Sequence, residues 1–121
     1  MIGKLQTIMV VVKDMERSVR FYRDVLGLKL EYQSPGWSQL SAGNIGLGLH
    51  PEGKEVKVSP GLGCTFGFHV DDIQKAVSEL KAKGAAVFME PRKEGEFGWL
   101  AIVGDPDGYS VQLFQPAHKP A

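Results

Sequence analysis

A chain of 121 residues is one domain's worth of sequence, long enough to bury a real core. Its 14 basic side chains balance 14 acidic ones with no basic run, which removes the positive stripe that nucleic acid or an anionic membrane requires, and no segment approaches membrane-spanning length. The single cysteine, Cys64, excludes an internal disulfide, and the start Met1-Ile2-Gly3-Lys4 lacks a signal peptide's apolar stretch, so a cytoplasmic protein is expected.

Residues 8–12 form a β-branched run closed by Asp14 and read as a first strand. Asp14 suits a helix N-cap; Met15, Val19, Tyr22 and Leu26 then recur at helical spacing, and Gly27 follows where a left-handed C-cap is cheap. On that helix, Phe21-Tyr22 turns one ring toward the sheet. Strands are expected over residues 29–33, 37–41 and 45–50, with Pro35-Gly36 and Gly43-Asn44 as turns. Residues 51–61 are polar and carry two prolines, as a linker does.

The plan then starts again. Residues 65–70 read as a strand, Asp72 as a cap, Ile73, Val77 and Leu80 as a helix stripe, and Gly84 as its stop. Strands follow near residues 86–89, 99–103 and 109–115. The last two are joined by Asp105-Pro106-Asp107-Gly108, in which proline presets one turn dihedral and glycine accepts the positive one.

The chain thus repeats itself. Val12-Lys13-Asp14-Met15-Glu16-Arg17-Ser18-Val19 is answered by Val70-Asp71-Asp72-Ile73-Gln74-Lys75-Ala76-Val77, and Gly36-Trp37-Ser38-Gln39-Leu40 by Gly98-Trp99-Leu100-Ala101-Ile102. Two copies make no solenoid. They imply a pseudo-symmetric α+β domain over residues 1–121, with one module at about 4–52, a linker at 53–62 and a second module at about 63–116, and a site is to be sought between the copies.

Strand alternation assigns two faces. Ile8, Val10, Val12, Leu40, Leu47 and Leu49 in the first copy, with Phe66, Phe68, Val70, Leu100, Ile102, Val111 and Leu113 in the second, form an apolar set suited to packing under the helices. The other face carries Thr7, Met9, Val11, Trp37, Gln39, Gly46, Gly48 and His50, then Thr65, Gly67, His69, Trp99, Ala101, Val103, Ser110, Gln112 and Phe114. Tryptophans, small residues and scattered polar groups describe a ligand-cavity wall rather than a solvated face.

The run Phe21-Tyr22-Arg23-Asp24-Val25-Leu26-Gly27-Leu28, with Val70-Asp71-Asp72-Ile73, Lys83-Gly84 and Asp105-Pro106-Asp107-Gly108-Tyr109, resembles the vicinal oxygen chelate superfamily, which includes glyoxalase I, bleomycin- and fosfomycin-resistance proteins and extradiol dioxygenases. The resemblance spans residues 4–115. It implies two βαβββ modules in pseudo-two-fold repeat, forming a curled mixed sheet around a cavity, and a homodimer whose cavity draws on both subunits. It also implies that enzymes of the family hold a divalent metal through the first and last strands of each module. Those positions fall here on Thr7, Gly48, Thr65 and Gln112. Threonine is a poor neutral ligand, glycine has no side chain, and only Gln112 offers an ordinary donor.

No cofactor is therefore expected, with an atypical divalent metal site at His50 and His69 as the alternative. Those histidines read otherwise as hydrogen-bonded strand-end residues, or as a general base. The ligand-binding candidates are Trp37, Gln39, His50, His69, Arg92, Trp99, Gln112 and Phe114, with Phe97 extending the aromatic surface. Arg92 lies in the charged segment 90–98, a solvated hairpin loop or a mobile rim over the cavity. Cys64 reads as a small buried hydrophobe.

The expected function is a metal-independent, bleomycin-resistance-type protein that sequesters a flat amphipathic small molecule at a dimer interface. The alternative is a glyoxalase-like lyase or isomerase, or a dioxygenase-like enzyme, using an atypical metal or a histidine base. A third reading is a dimerising subunit with a vestigial cavity.

Overall fold

Two aspartates start two helices, and each helix lies over its own sheet. The computed structural model describes residues 2–61 and 65–117. The chain divides into two compact units at Ser59 and Pro60. Cys64 lies outside the described residues.

In the first unit, β1 (Thr7–Val12) leads to Asp14, whose extended backbone turns its carboxylate to accept from Arg17 N at 3.0 Å. The helix α1 (Met15–Arg20) widens into a π-helical turn over Phe21–Val25. Both rings of Phe21 and Tyr22 are buried, edge to face at 5.1 Å, so two rings pack where one was expected. Gly27, at φ +83°, releases the chain into β2 (Lys29–Tyr32), β3 (Ser38–Ala42) and β4 (Ile45–Pro51). The sheet order is β1-β4-β3-β2, with β1 parallel to β4 and the rest antiparallel. Val10, Val12, Val19, Tyr22, Leu40, Leu47 and Leu49 are buried as its core.

The second unit repeats this with β5 (Phe66–His69), α2 (Ile73–Ala82), β6 (Ala86–Glu94), β7 (Gly98–Gly104) and β8 (Ser110–Pro116), in the order β5-β8-β7-β6. Asp72 accepts from Lys75 N at 3.1 Å, and Gln115 Oε1 accepts from Ile73 N at 2.9 Å, so two side chains satisfy the opening turn of α2. The expected turn forms: Asp105 Oδ1 accepts from Asp107 N and Tyr109 N, both at 2.9 Å, and Gly108 sits at φ +90°. The two βαβββ modules thus stand as two four-stranded mixed sheets, and neither linear strand order closes into a barrel. No helix among the described residues is long and apolar enough to cross a membrane.

Two expectations are corrected. Residues 90–94 are strand rather than loop, because β7 continues down to Gly98 and pairs with β6 as far as Glu94. Only residues 95–97 remain as the hairpin connection. The faces of β7 are also inverted. Ala101 pairs with Leu113 and Val103 with Val111, all four buried, whereas Leu100 pairs with Phe114 and Ile102 with Gln112 on the other face. The second Gly-Trp pair is out of phase by one residue, since Ser38 after Trp37 pairs with the buried Leu49 but Leu100 after Trp99 pairs with Phe114. A slip of one residue moves every side chain to the opposite face.

Candidate functional site

The helix-free face of the first sheet carries rows set by register. Thr7, Gly46 and Ser41 form one row across β1, β4 and β3; Met9, Gly48, Gln39 and Tyr32 form the next, which reaches β2. The two glycines in these rows are room for their neighbours. A methyl group on Gly46 would collide with Gln39 Nε2, and one on Gly48 with the six-membered ring of Trp37. Trp37 Nε1 donates to Gln39 Oε1 at 2.8 Å, which fixes the amide with its oxygen toward the indole and its Nε2 over Gly46. Ser34 Oγ holds the Trp37 backbone, accepting from its N at 3.1 Å and donating to its O at 2.7 Å.

His50 meets the Trp37 ring edge to face at 6.3 Å. Its Nδ1 lies 2.6 Å from the Pro51 carbonyl oxygen. That oxygen can only accept, so the ring donates from Nδ1 and the neutral imidazole keeps Nε2 as its acceptor. Trp37, Gln39 and His50 are therefore brought together on one face, as their parity implied.

An open concavity of about 500 Å³ lies in this unit, lined by Gln6, Thr7, Glu31, Tyr32, Trp37, Gln39, Ser41 and Asn44 among others. It is within the range of small-molecule sites. Sequence reasoning missed Glu31 and Tyr32, the carboxylate and the phenol of its wall. Leu30 pairs with Leu40 and Tyr32 with Gln39, so Glu31 is the extra residue of a β-bulge. Ordinary alternation would send Tyr32 to the core side; the bulge returns it to the open face beside Glu31.

In the second unit, Gly67, Gln112 and Ile102 form one row, and His69, Phe114, Leu100 and Arg92 the next. Gln112 Nε2 donates to Thr65 Oγ1 at 3.0 Å. His69 Nε2 is 3.9 Å from Asp71 Oδ1, with both side chains well exposed, and Arg92 Nε donates to Glu94 Oε1 at 2.6 Å. Trp99 does not join this group. It pairs with Gln115, whose amide reaches the start of α2, so Trp99 stands on the helix side of the sheet. Its expected place beside Gln112 and Phe114 came from the repeat being out of phase by one residue.

The donor set does not fit a divalent metal. The Gly48 position is covered by the Trp37 ring, Thr7 and Thr65 offer only hydroxyls, and Gln112, whose Nε2 donates to Thr65, contributes a single amide oxygen. Among the described residues, no group of three or more His, Cys, Asp and Glu side chains is placed to hold a metal ion.

Residues 4–113 match the Glyoxalase/Bleomycin resistance protein/Dioxygenase superfamily. A probable lactoylglutathione lyase of Synechocystis sp. is 31% identical over 127 residues, which cover 92% of this chain and 94% of that protein. A probable chloroplastic lactoylglutathione lyase of Arabidopsis thaliana is 32% identical over 90% of this chain, which spans about a third of the plant protein (35%). Among solved structures, TnmS3, an antibiotic binding protein from Streptomyces sp. CB03234, superimposes with a TM-score of 0.79 at 27% identity, covering 95% of this chain and 97% of that one.

These relatives correct the expected function. A sequestering protein of the bleomycin-resistance type was inferred from a missing ligand set, yet the curated relatives at about 30% identity carry the name of a lyase. A missing ligand set speaks about metal binding and does not by itself exclude turnover.

Proposed function

Because the chain belongs to the Glyoxalase/Bleomycin resistance protein/Dioxygenase superfamily, we propose that it is a glyoxalase-like lyase acting on the thioester of a small 2-hydroxy acid. The observation that carries this reading is the nearly end-to-end likeness to the Synechocystis protein, named a probable lactoylglutathione lyase. The concavity of the first unit supports it, since about 500 Å³ suits a small acyl group with part of its thiol carrier.

The chemistry required is modest. The C2 hydrogen of such a thioester is acidified by the neighbouring carbonyl. A base removes it, leaving an enediolate, and the proton returns at C1, while the hydroxyl proton moves from the C2 oxygen to the C1 oxygen. The C1–S bond of the resulting hemithioacetal then breaks, the C1 hydroxyl proton passes to sulfur, and a 2-oxoaldehyde and a thiol leave. Nothing is oxidised or reduced overall. The protein must supply a proton acceptor and hydrogen-bond donors to the enediolate oxygens. In this reading Gln39 Nε2, oriented by the Trp37 contact, serves as one such donor. No step is routed through a metal, because the residues at the usual ligand positions do not fit one. A cytoplasmic homodimer is part of the same reading.

The test is turnover of lactoylglutathione by the purified protein, followed as loss of thioester absorbance with trapping of the 2-oxoaldehyde. Thioester loss with matching thiol and 2-oxoaldehyde supports the reading. A rate equal to the uncatalysed background, or release of the free 2-hydroxy acid instead, contradicts it.

A further inference from the structure

We propose that Glu31 is the catalytic residue that removes and returns the substrate proton, an inference that rests on the lyase reading above. Among the described residues lining the concavity beside Trp37 and Gln39, Glu31 is the one carboxylate. Its place there is set by the backbone. At an edge strand a bulge is an ordinary device against strand addition, and a glutamate on such an edge is ordinarily a solvated charge. Glu31 and Tyr32 are both exposed here as well, and the bulge adds something more specific: it puts these two consecutive side chains on the wall of one open concavity, where regular alternation would supply one.

The neighbours on that wall are complementary to the chemistry. Tyr32 pairs with Gln39, whose amide nitrogen is turned over Gly46 because its oxygen accepts from Trp37 Nε1. A carboxylate that accepts a carbon-bound proton and a neutral amide donor for the developing oxyanion therefore line the same concavity. Neither His50 nor His69 is among the residues lining this concavity.

The step is balanced. The Glu31 carboxylate takes the proton from C2 of the thioester as the C2–H bond breaks and its electron pair moves into the enediolate. The protonated carboxyl then gives that proton to C1, restoring the carboxylate. Part of the proton pool exchanges with water while it resides on Glu31, so deuterium enters the carbon skeleton in heavy water.

The experiment compares wild-type protein with Glu31→Gln and Glu31→Asp, and with Glu79→Gln on α2 as a control outside the concavity. Three readouts are taken with lactoylglutathione: kcat, KM and deuterium incorporation at C2, with circular dichroism to verify the fold. The expected result is a fall in kcat of about 10²–10⁴-fold for Glu31→Gln, with KM little changed, deuterium incorporation lost in parallel, and partial activity in Glu31→Asp. Folded Glu31→Gln with kcat and exchange within about threefold of wild type overturns the role of Glu31 and leaves the lyase reading standing. Wild-type protein that neither turns over nor exchanges the C2 hydrogen overturns both.

Discussion

The six-membered ring of Trp37 lies where a side chain on Gly48 would begin. That relationship explains why the fourth strand of the first unit offers no ligand at this position: the space is filled from β3's side by an indole anchored through Gln39 and Ser34. The face is organised by hydrogen bonds among neutral groups, and the one carboxylate among the described residues lining its concavity arrives from a bulge on the edge strand.

Gly48→Ala must displace the indole, since the contact is with a rigid ring and not the far end of a flexible chain. Overpacking of this kind costs about 1–3 kcal/mol. Urea unfolding of Gly48→Ala, Trp37→Ala and the double variant is expected to show strong coupling, with Gly48→Ala costing far less once the ring is gone. Additive effects would contradict the contact.

The relationship between Gln115 and Ile73 was not visible in the sequence, where only Asp72 announced the start of α2. Gln115→Ala removes the Oε1 that accepts a hydrogen bond from the Ile73 amide N–H, a contact that spans 42 residues of sequence. A loss of about 0.5–1.5 kcal/mol in denaturant unfolding is expected, with Gln115→Glu retaining most of the stability because it keeps an acceptor.

Arg23 and Asp24 form a two-point ion pair, Nε to Oδ1 at 2.7 Å and Nη2 to Oδ2 at 3.0 Å. The hydrogen bonds from Arg23 hold the Asp24 carboxyl below its ordinary range, with partial burial opposing and the charges of Arg23 and Arg20 adding to the effect. The folded value is thus below the unfolded one. The pair's contribution to stability is complete above the ordinary carboxylate range and is lost as the pH falls through the lowered folded value. Both groups face solvent, so the effect on stability is small and is best read directly. A carbon-13 titration of the Asp24 carboxyl is expected to show a depressed midpoint that rises in Arg23→Ala.

Local signals carried the elements, and long-range pairing decided the faces. Asp14, Asp72, Gly27, Gly84 and the Asp105–Gly108 turn act through bonds within a few residues, so the sequence alone placed them. The faces of the first copy followed as well, because Leu40, Leu47 and Leu49 alternate in step with their partners. The second copy misled because apolar residues stand on both faces of β7, and only its register with β8 tells Ala101 and Val103 from Leu100 and Ile102. The bulge at Glu31 left no mark in composition, since it is a property of how β2 meets β3. That is why the aromatic and amide part of the candidate site was legible and its carboxylate was not.

The most direct test of the account is the lyase rate of protein dialysed against a strong chelator, assayed with lactoylglutathione before and after addition of nickel, zinc, manganese or iron, with metal content measured in each sample. Turnover is expected at less than stoichiometric metal, with no more than a minor change on addition, because the usual ligand positions hold Thr7, Gly48, Thr65 and Gln112. Activity that vanishes on chelation and returns with about one metal per chain would contradict it, as would the absence of turnover in every arm.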